Sequence, residues 1–179
     1  MDVRPEAMAA PGKLETMNVG LEALRVLLID DNHHMRTIVG SILKGLGVRQ
    51  LREAADGADG LQVLRDWPAD LAIVDFRMEP LDGATFTRMV RNAKDSKNPY
   101  LPIIMMTGFA DRSRVFEARD AGVTEIVAKP LTARAIIDRI ETVILRPRPF
   151  VRTDDYFGPL RRGIDDIAQA QKQPVSLAI

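Results

Sequence analysis

Residues 71–83 read LAIVDFRMEPLDG, an apolar run that ends at one carboxylate, Asp75, and continues into a loop containing Pro80 and Gly83. Four apolar residues before such a loop predict a strand buried on both faces, as in parallel sheets. In an open parallel sheet, ligands bind at the carboxyl ends of the strands. An acidic side chain at that edge can hold a hard cation or act as a carboxylate nucleophile, and Asp75 alone leaves both open.

Three similar apolar runs and one weaker segment alternate with helical patterns on either side of this stretch. The apolar runs predict strands over residues 25–31, 101–107 and 123–128, and the weaker segment, with Leu51 between polar neighbours, predicts one over residues 48–54. Apolar residues spaced three and four apart predict helices that cover residues 35–46, 58–67, 83–92, 111–121 and 131–145. This alternation predicts βαβ units, and therefore an α/β fold with a doubly wound, five-stranded parallel sheet and five helices over residues 25–145.

The composition excludes several kinds of site. The 179 residues contain no cysteine, which excludes disulfides, thiolate metal sites and cysteine nucleophiles. Lys plus Arg equals Asp plus Glu at 25 each, so no overall charge favours nucleic acid or a membrane surface. No apolar run approaches the roughly 18 residues of a membrane span, and the amino terminus is a poor signal peptide. We therefore expect a cytoplasmic protein.

The two flanks of the predicted domain differ from it in composition. Residues 1–24 mix prolines, glycines and scattered charges, which predicts a flexible or loosely docked leader. Residues 146–179 begin with the proline-rich, basic run RPRPFVR and show little amphipathic periodicity. They are too short for a helix-turn-helix unit, so we expect no recognised effector domain and no direct DNA binding.

Polar side chains mark the carboxyl ends of four predicted strands. Asp30 and Asp31 end the first strand, Asp75 ends the third, and Thr107 and Lys129 mark the ends of the fourth and fifth. Because these ends share one edge of a parallel sheet, we expect the five side chains to converge. Three carboxylates so close repel one another unless a cation is present, and oxygen-only ligands favour Mg²⁺. Lys129 and Thr107 suit phosphoryl oxygens, so the set has what phosphoryl transfer to a carboxylate requires.

Each of these residues also has an ordinary structural explanation. Asp31 can cap the following helix, Thr107 can be a turn residue, and Lys129 can be a solvated charge. His33 and His34 are adjacent on a helix and therefore point in different directions, which predicts surface positions rather than a metal site. It is the joint occurrence of the acids, the hydroxyl and the lysine that favours a common site.

Taken in order, the pair Asp30-Asp31, the run from Asp75 to Gly83, Thr107-Gly108 and Lys129-Pro130 resemble the receiver domain of two-component response regulators, the CheY-like family. The resemblance covers roughly residues 25–145 and implies the strand order 2-1-3-4-5. It also implies that Asp75 accepts a phosphoryl group from a histidine kinase or a phosphotransfer protein.

The same resemblance assigns further roles. Mg²⁺ would be held by Asp30, Asp31, Asp75 and the backbone carbonyl of Arg77. Lys129 would pair with the phosphoryl oxygens, Thr107 would move toward them as a switch, and the Lys129-Pro130 peptide would be cis. A partner would recognise the face formed by the fourth helix, the fifth strand and the fifth helix. The candidate contacts on that face are Arg112, Arg114, Arg119 and Arg134.

The sequence departs from the family pattern at two positions. Ile126 stands where the family usually has an aromatic switch residue, three before the lysine. Glu79 stands where a proline usually follows the methionine, with Pro80 one residue later. The long, cationic Arg77 lies two residues after Asp75, where it can affect the access of water or a partner.

Three classes of function follow. The first is a stand-alone phosphorylation switch, with homodimerisation as a possible output and activity limited to Mg²⁺-dependent self-phosphorylation and dephosphorylation. In that case, deleting residues 146–179 should leave phosphorylation intact and change partner binding or oligomeric state. The second is a haloacid dehalogenase-type hydrolase, which needs an aspartate where Arg77 stands. The third is a phosphorylation-independent scaffold with a receiver fold.

Overall fold

The computed structural model describes residues 20–108 and 112–161. Five of its strands are β1 (Arg25–Ile29), β2 (Gln50–Ala54), β3 (Leu71–Asp75), β4 (Ile103–Thr107) and β5 (Glu125–Ala128). The helices are α1 (His33–Gly45), α2 (Gly57–Asp66), α3 (Gly83–Asn92), α4 (Arg112–Ala121) and α5 (Ala133–Leu145). The predicted alternation of strands and helices is confirmed.

The five strands form one parallel sheet in the order β2-β1-β3-β4-β5, which confirms the order implied by the resemblance. The register pairs Ile29 with Val74, Asp75 with Met106 and Thr107 with Ala128. The chain leaves β1 toward one edge strand, β2, and returns to β3 on the other side of β1. The carboxyl ends of β1 and β3 therefore flank the topological switch point where such sheets bind ligands.

Alternate residues of each strand enter two cores, one on each face of the sheet. Val26 and Leu28 of β1 pack with Val39 of α1 and Ile140 of α5. The intervening residues, Leu27 and Ile29, enter the other core, which contains Phe86 and Val90 of α3 and Ala118 of α4. Because both faces are covered by helices, the central strands β3 and β4 are buried at every position, whereas the edge strand β2 is largely exposed and polar.

Side-chain caps fix where the helices begin. The Asn32 carboxamide oxygen accepts hydrogen bonds from the backbone N–H groups of His34 and Met35. Asn32, not Asp31, therefore caps α1, and Asp31 is left exposed beside the β1 end. His33 and His34 are exposed, as predicted.

Some details differ from the sequence predictions. The strands β2, β4 and β5 each begin two residues later than predicted, and β1 ends at Ile29, two residues earlier than predicted. In β4 the cause is Pro102, which has no N–H to pair with a neighbouring strand. On α3, Met89 lies at the margin of the apolar stripe defined by Phe86 and Val90, and it is 40% exposed. On α4, Ala118 is buried, whereas Val115 and Phe116 are only partly buried.

The described part of the carboxyl-terminal segment forms a β-hairpin, which the sequence did not predict. Its strands are β6 (Phe150–Arg152) and β7 (Phe157–Pro159), antiparallel, with Val151 opposite Gly158. Of the predicted leader, Leu21 is buried in the core on the α1 side of the sheet. Residues 1–19 and 162–179 lie outside the described residues, so the leader and tail stay predictions there. Within the described ranges, no helix is both long and apolar enough to cross a membrane.

Candidate functional site

A lysine and two buried carboxylates meet at the carboxyl edge of the sheet. Lys129 Nζ lies 2.8 Å from Asp75 Oδ1 and 3.3 Å from Asp30 Oδ2. Asp30 is 1% exposed and Asp75 is 7% exposed. The side chains therefore meet where little water screens their charges, which strengthens the attraction between Lys129 and the two carboxylates and also makes each charge costly to bury.

Asp31 completes an acidic cluster with Asp30 and Asp75. One carboxylate oxygen from each residue lies within 4.8 Å of the others. Asp30 also accepts a hydrogen bond from the backbone N–H of Asn32, at 2.9 Å, and Asp75 accepts one from that of Arg77, at 3.1 Å. An all-oxygen donor set with one exposed member, Asp31, fits a partly hydrated Mg²⁺ and does not suit zinc or copper.

Burial and charge shift the pKa values in this pocket. Burial raises the pKa of Asp75, and the neighbouring Asp30 adds to the rise, while Lys129 and the Arg77 N–H oppose it. Burial works against the charge of Lys129 as well, but contacts with Asp75 and Asp30 outweigh it and raise the pKa of Lys129. Lys129 is therefore cationic at neutral pH. The net effect on Asp75 is a carboxylate whose surroundings disfavour its charge, which an added cation relieves.

Because the surroundings of Asp75 disfavour its negative charge, replacing the carboxylate with the neutral amide in Asp75→Asn should stabilise the folded protein. In metal-free buffer near neutral pH, the variant should be more stable than wild type by about 1 kcal/mol. The pKa of Asp75 is higher in the folded state than in the unfolded state. The folded state therefore binds more protons between the two values, and the contribution of Asp75 to stability falls as pH rises through that window. The advantage of the amide should shrink as the pH is lowered through it.

Urea unfolding with a chelator present, as a function of pH, measures this difference. Mg²⁺ at about 100 times its dissociation constant should then stabilise wild type by roughly 2.7 kcal/mol and the variant by much less. An Asp75→Asn protein that is less stable than wild type at neutral pH without metal would contradict the electrostatic account.

Thr107 and Lys129 are joined through the backbone at the ends of β4 and β5. The Lys129 N–H donates to the Thr107 carbonyl oxygen at 2.7 Å, and Thr107 is 3% exposed. The Lys129-Pro130 peptide is cis, as expected, and the Glu79-Pro80 peptide is cis as well. The structure thus brings every predicted site residue to one edge of the sheet.

The loop after Asp75 presents one long cation to solvent. The Arg77 side chain is exposed, while its backbone N–H contacts the Asp75 carboxylate. Phe76 is partly buried, and the Arg114 guanidinium of α4 lies 5.9 Å from the centre of its ring. A cation–π contact of this kind links α4 to the residue that follows Asp75.

Arg36 is a site residue that the sequence analysis missed. Its Nη1 donates to the Asp30 carbonyl oxygen at 2.6 Å, and its Nε donates to Glu53 Oε2 at 3.3 Å. Arg36 therefore ties the turn carrying Asp30 and Asp31 to β2. Because Arg36 lies one turn into α1, its contact with the turn before the helix could have been predicted from the sequence. Its bond to Glu53 could not, because it depends on β1 and β2 being neighbours in the sheet.

Gly83 lies where the loop after Asp75 meets α3, and the structure shows why this residue is small. A Cβ at this position would lie 2.3 Å from the carbonyl oxygen of Asp75 and 3.2 Å from Met105 Cε. The Gly83 N–H donates to the Phe76 carbonyl oxygen at 3.2 Å. The start of α3 is therefore packed directly on the backbone that carries Asp75.

We expect Gly83→Ala to destabilise the protein by about 2 kcal/mol, because either the Asp75 backbone or α3 must move to admit the methyl group. The variant should also bind Mg²⁺ more weakly. Gly45→Ala is the matched control, since nothing lies within 4 Å of a Cβ there. Urea unfolding and Mg²⁺ titration measure both effects. Equal stability of the Gly83 and Gly45 variants would show that the Asp75 turn is not tightly packed.

The four arginines predicted for a partner face differ in their surroundings. Arg112 is exposed, and Arg134 is exposed within an ion pair to Asp138 at 3.1 Å. Arg119 lies 3.0 Å from Asp120 and packs over the ring of Phe116. Together with Arg114 over Phe76, this leaves Arg112 and Arg134 as the most accessible cations of the set.

Comparison with known proteins agrees with this geometry. The family model for the response regulator receiver domain matches residues 26–141. The chain is 34% identical over 123 residues to the chemotaxis protein CheY of Pseudomonas aeruginosa, covering 69% of this chain and 98% of the relative. It is 31% identical over 123 residues to CheY-3 of Vibrio cholerae, covering 69% and 93% respectively.

Solved structures show the same similarity. The crystal structure of Vibrio cholerae CheY4 superposes with a TM-score of 0.62 at 26% identity, covering 68% of this chain and 98% of that one. A putative response regulator from Chloroflexus aurantiacus gives a TM-score of 0.62 at 30% identity, covering 69% and 99%. The sheet order, the acidic pocket beside a lysine, and these matches lead to one conclusion: the chain belongs to the response regulator receiver domain family of two-component signalling.

Proposed function

We propose that this chain is a receiver in which Asp75 accepts a phosphoryl group from a histidine kinase or a phosphotransfer protein. The observation that carries the proposal is the 2.8 Å contact between Lys129 Nζ and Asp75 Oδ1 beside Asp30 and Asp31. A carboxylate nucleophile next to a fixed cation and a metal-binding cluster is what phosphoryl transfer to aspartate needs. The receiver unit is proposed to cover residues 25–145.

In the proposed reaction, an Asp75 carboxylate oxygen attacks the phosphorus atom of a phosphohistidine. The P–N bond breaks, its electron pair stays with the imidazole, and the product on this chain is an acyl phosphate. Mg²⁺, held by Asp30, Asp31, Asp75 and the Arg77 carbonyl, would supply positive charge to the phosphoryl oxygens. Lys129 loses the nearer of its two carboxylate partners when Asp75 is phosphorylated, and then pairs with a phosphoryl oxygen while Asp30 stays beside it.

The same change of charge is proposed to act as the switch. Thr107 sits at the end of β4 with its carbonyl bonded to the Lys129 N–H, so a shift at the phosphoryl group reaches both β4 and β5. We propose that the Thr107 hydroxyl binds the phosphoryl group and that the α4–β5–α5 face changes its partner affinity. The downstream partner is proposed to be a protein. Ile126, partly buried against the core on the α4 side, replaces the usual aromatic, so the coupling here runs without an aromatic rotamer.

Intact-mass measurement after incubation with Mg²⁺ and a small phosphodonor tests this function. Wild type should gain one phosphoryl group, Asp75→Ala should gain none, and chelation of Mg²⁺ should suppress the reaction. Asp66→Ala, which changes an exposed carboxylate at the end of α2, is the control and should label like wild type. If wild type fails to label beside a receiver that does, the phosphorylation-independent scaffold becomes the better explanation.

A further inference from the structure

The C-terminal hairpin, residues 148–161, packs on the sheet edge opposite the acidic pocket. Its neighbours are the loop before β4 and the junction between α4 and β5, which we define as residues 119–124. Arg148 Nη2 donates to the Thr124 carbonyl oxygen, and Arg148 Nη1 donates to the Leu160 carbonyl oxygen at 2.6 Å. Arg161 Nη2 lies 3.5 Å from Asp120 Oδ1. The hairpin is therefore bonded to both the helix side and the strand side of the junction.

A buried arginine holds the same junction from beneath the hairpin. Arg91, at the end of α3, is 1% exposed. Its Nε donates to the Gly122 carbonyl oxygen at 3.0 Å, and its Nη1 donates to the Pro99 carbonyl oxygen at 2.8 Å. The ring of Phe150 covers the guanidinium, with 5.1 Å between Arg91 Cζ and the ring centre. Burial lowers the pKa of Arg91 to about 10, so it is still charged at neutral pH.

Two glycines let the hairpin backbone touch the junction backbone. Gly122 has φ of +95°, and a Cβ there would lie 3.0 Å from the Phe157 carbonyl oxygen. A Cβ at Gly158 would lie 2.9 Å from Gly122 Cα. Tyr156 and Phe157 are 8% and 6% exposed, and Phe157 packs edge-on against Tyr100. The contact is thus close and largely buried, unlike a loosely attached tail.

We propose that the C-terminal hairpin is an intramolecular clamp that holds the α4–β5 junction and thereby opposes rearrangement of α4 when the acidic pocket is occupied. Helix α4 lies between the end of β4, which carries Thr107, and the clamped junction. Its Arg114 also contacts Phe76 beside Asp75. The hairpin restrains one end of α4, and a ligand in the acidic pocket acts at the other end of the same helix. We infer that α4 couples the two, and by thermodynamic linkage the coupling is reciprocal: loosening the clamp favours occupancy of the pocket as much as occupancy loosens the clamp.

Hydrogen exchange of the full chain tests the clamp without any phosphoryl group. Arg148→Gln removes the charge from the bonds to Thr124 and Leu160, and Asp120→Asn independently weakens the contact with Arg161. Exchange in residues 119–124 and 148–160 should become about tenfold faster in Arg148→Gln, with a smaller effect in Asp120→Asn. Arg146→Gln, at an exposed arginine of the same segment, should match wild type. Unchanged exchange, or an equal rise in β1 and β3, would overturn the clamp.

The coupling to the pocket rests on the proposed function and has its own readout. With Mg²⁺ present, beryllium trifluoride, a mimic of the phosphoryl group on aspartate, can be titrated and followed by fluorine NMR. Loosening the clamp lowers the free energy needed to rearrange α4, so Arg148→Gln should bind the mimic about threefold more tightly than wild type and Arg146→Gln. Equal affinities would overturn the coupling. Failure of wild type to bind the mimic would instead overturn the proposed function, while the exchange experiment still decides whether the clamp exists.

Discussion

Replacing Arg91 by alanine is expected to lower the free energy of unfolding by about 4 kcal/mol. The substitution removes a fully buried side chain and leaves the carbonyl oxygens of Pro99 and Gly122 without their charged donors. It also opens a cavity beneath Phe150, which packs over the guanidinium. Each of these changes is individually destabilising.

Arg88→Ala is the matched control, because Arg88 lies on the same helix and makes only an exposed ion pair with Glu117 at 3.6 Å. Its loss should change stability by less than about 1 kcal/mol. Chemical unfolding of both variants, with the slope against denaturant checked for two-state behaviour, gives the comparison. Similar stabilities for the two variants would mean that the hairpin interface contributes little to the folded state.

Replacing Lys129 by glutamine should slow formation of the phosphoryl adduct by about 100-fold. Lys129 is the cation that lies within 3.3 Å of both Asp30 and Asp75, and its charge is fixed before the reaction begins. Without it, the negative charge on the transferring group loses one preorganised partner. Mg²⁺ should bind at least as tightly, because a competing cation has been removed from the carboxylates.

A slower labelling rate combined with unchanged or tighter Mg²⁺ binding would show that Lys129 acts through its charge. A variant that had lost the pocket would instead lose both labelling and Mg²⁺ binding. Initial rates of labelling and Mg²⁺ titration should be measured side by side on Lys129→Gln and on Lys94→Gln, an exposed lysine after α3. Lys94→Gln should behave like wild type in both. A Lys129→Gln protein that labels at the wild-type rate would remove Lys129 from the proposed chemistry.

The sheet and the edge at which the candidate site lies could be predicted because short-range patterns determine them. Four of the five strands contain an apolar run, and each of these four is followed by or ends on a polar residue of the site; only β2, QLREA, lacks both signals. Once the strands are known to be parallel, the convergence of Asp30, Asp75 and Lys129 follows from geometry alone. Recognition of the family added the strand order, which periodicity cannot supply.

The features that escaped prediction depend on contacts between segments distant in the sequence. The bond from Arg36 to Glu53 exists because β1 and β2 are neighbours, and the tight fit of Gly83 exists because α3 starts on top of the Asp75 backbone. Arg91 lies on an amphipathic helix, and the residues next to it in the sequence do not indicate that its charged side chain is buried. Its burial depends on the hairpin, whose proline-rich, basic sequence is typical of an exposed tail.

The hairpin also changes how the predicted deletion of residues 146–179 should be carried out. That deletion would remove the terminal residues together with Phe150, which packs on Arg91, and Phe157, which packs on Tyr100. A stability defect would then obscure any effect on partner binding. A deletion that begins at residue 162 keeps the hairpin and tests the remaining residues separately.

The central claim is that Asp75 itself carries the phosphoryl group, and locating the acyl phosphate tests it most directly. Borohydride cleaves an acyl phosphate at aspartate and reduces that carboxyl to an alcohol, so the labelled residue becomes homoserine and can be found by peptide mass spectrometry. After labelling in Mg²⁺, we predict homoserine at position 75 and unmodified aspartate at positions 30, 31 and 82. Homoserine at any of those other positions, with position 75 unmodified, would contradict the account.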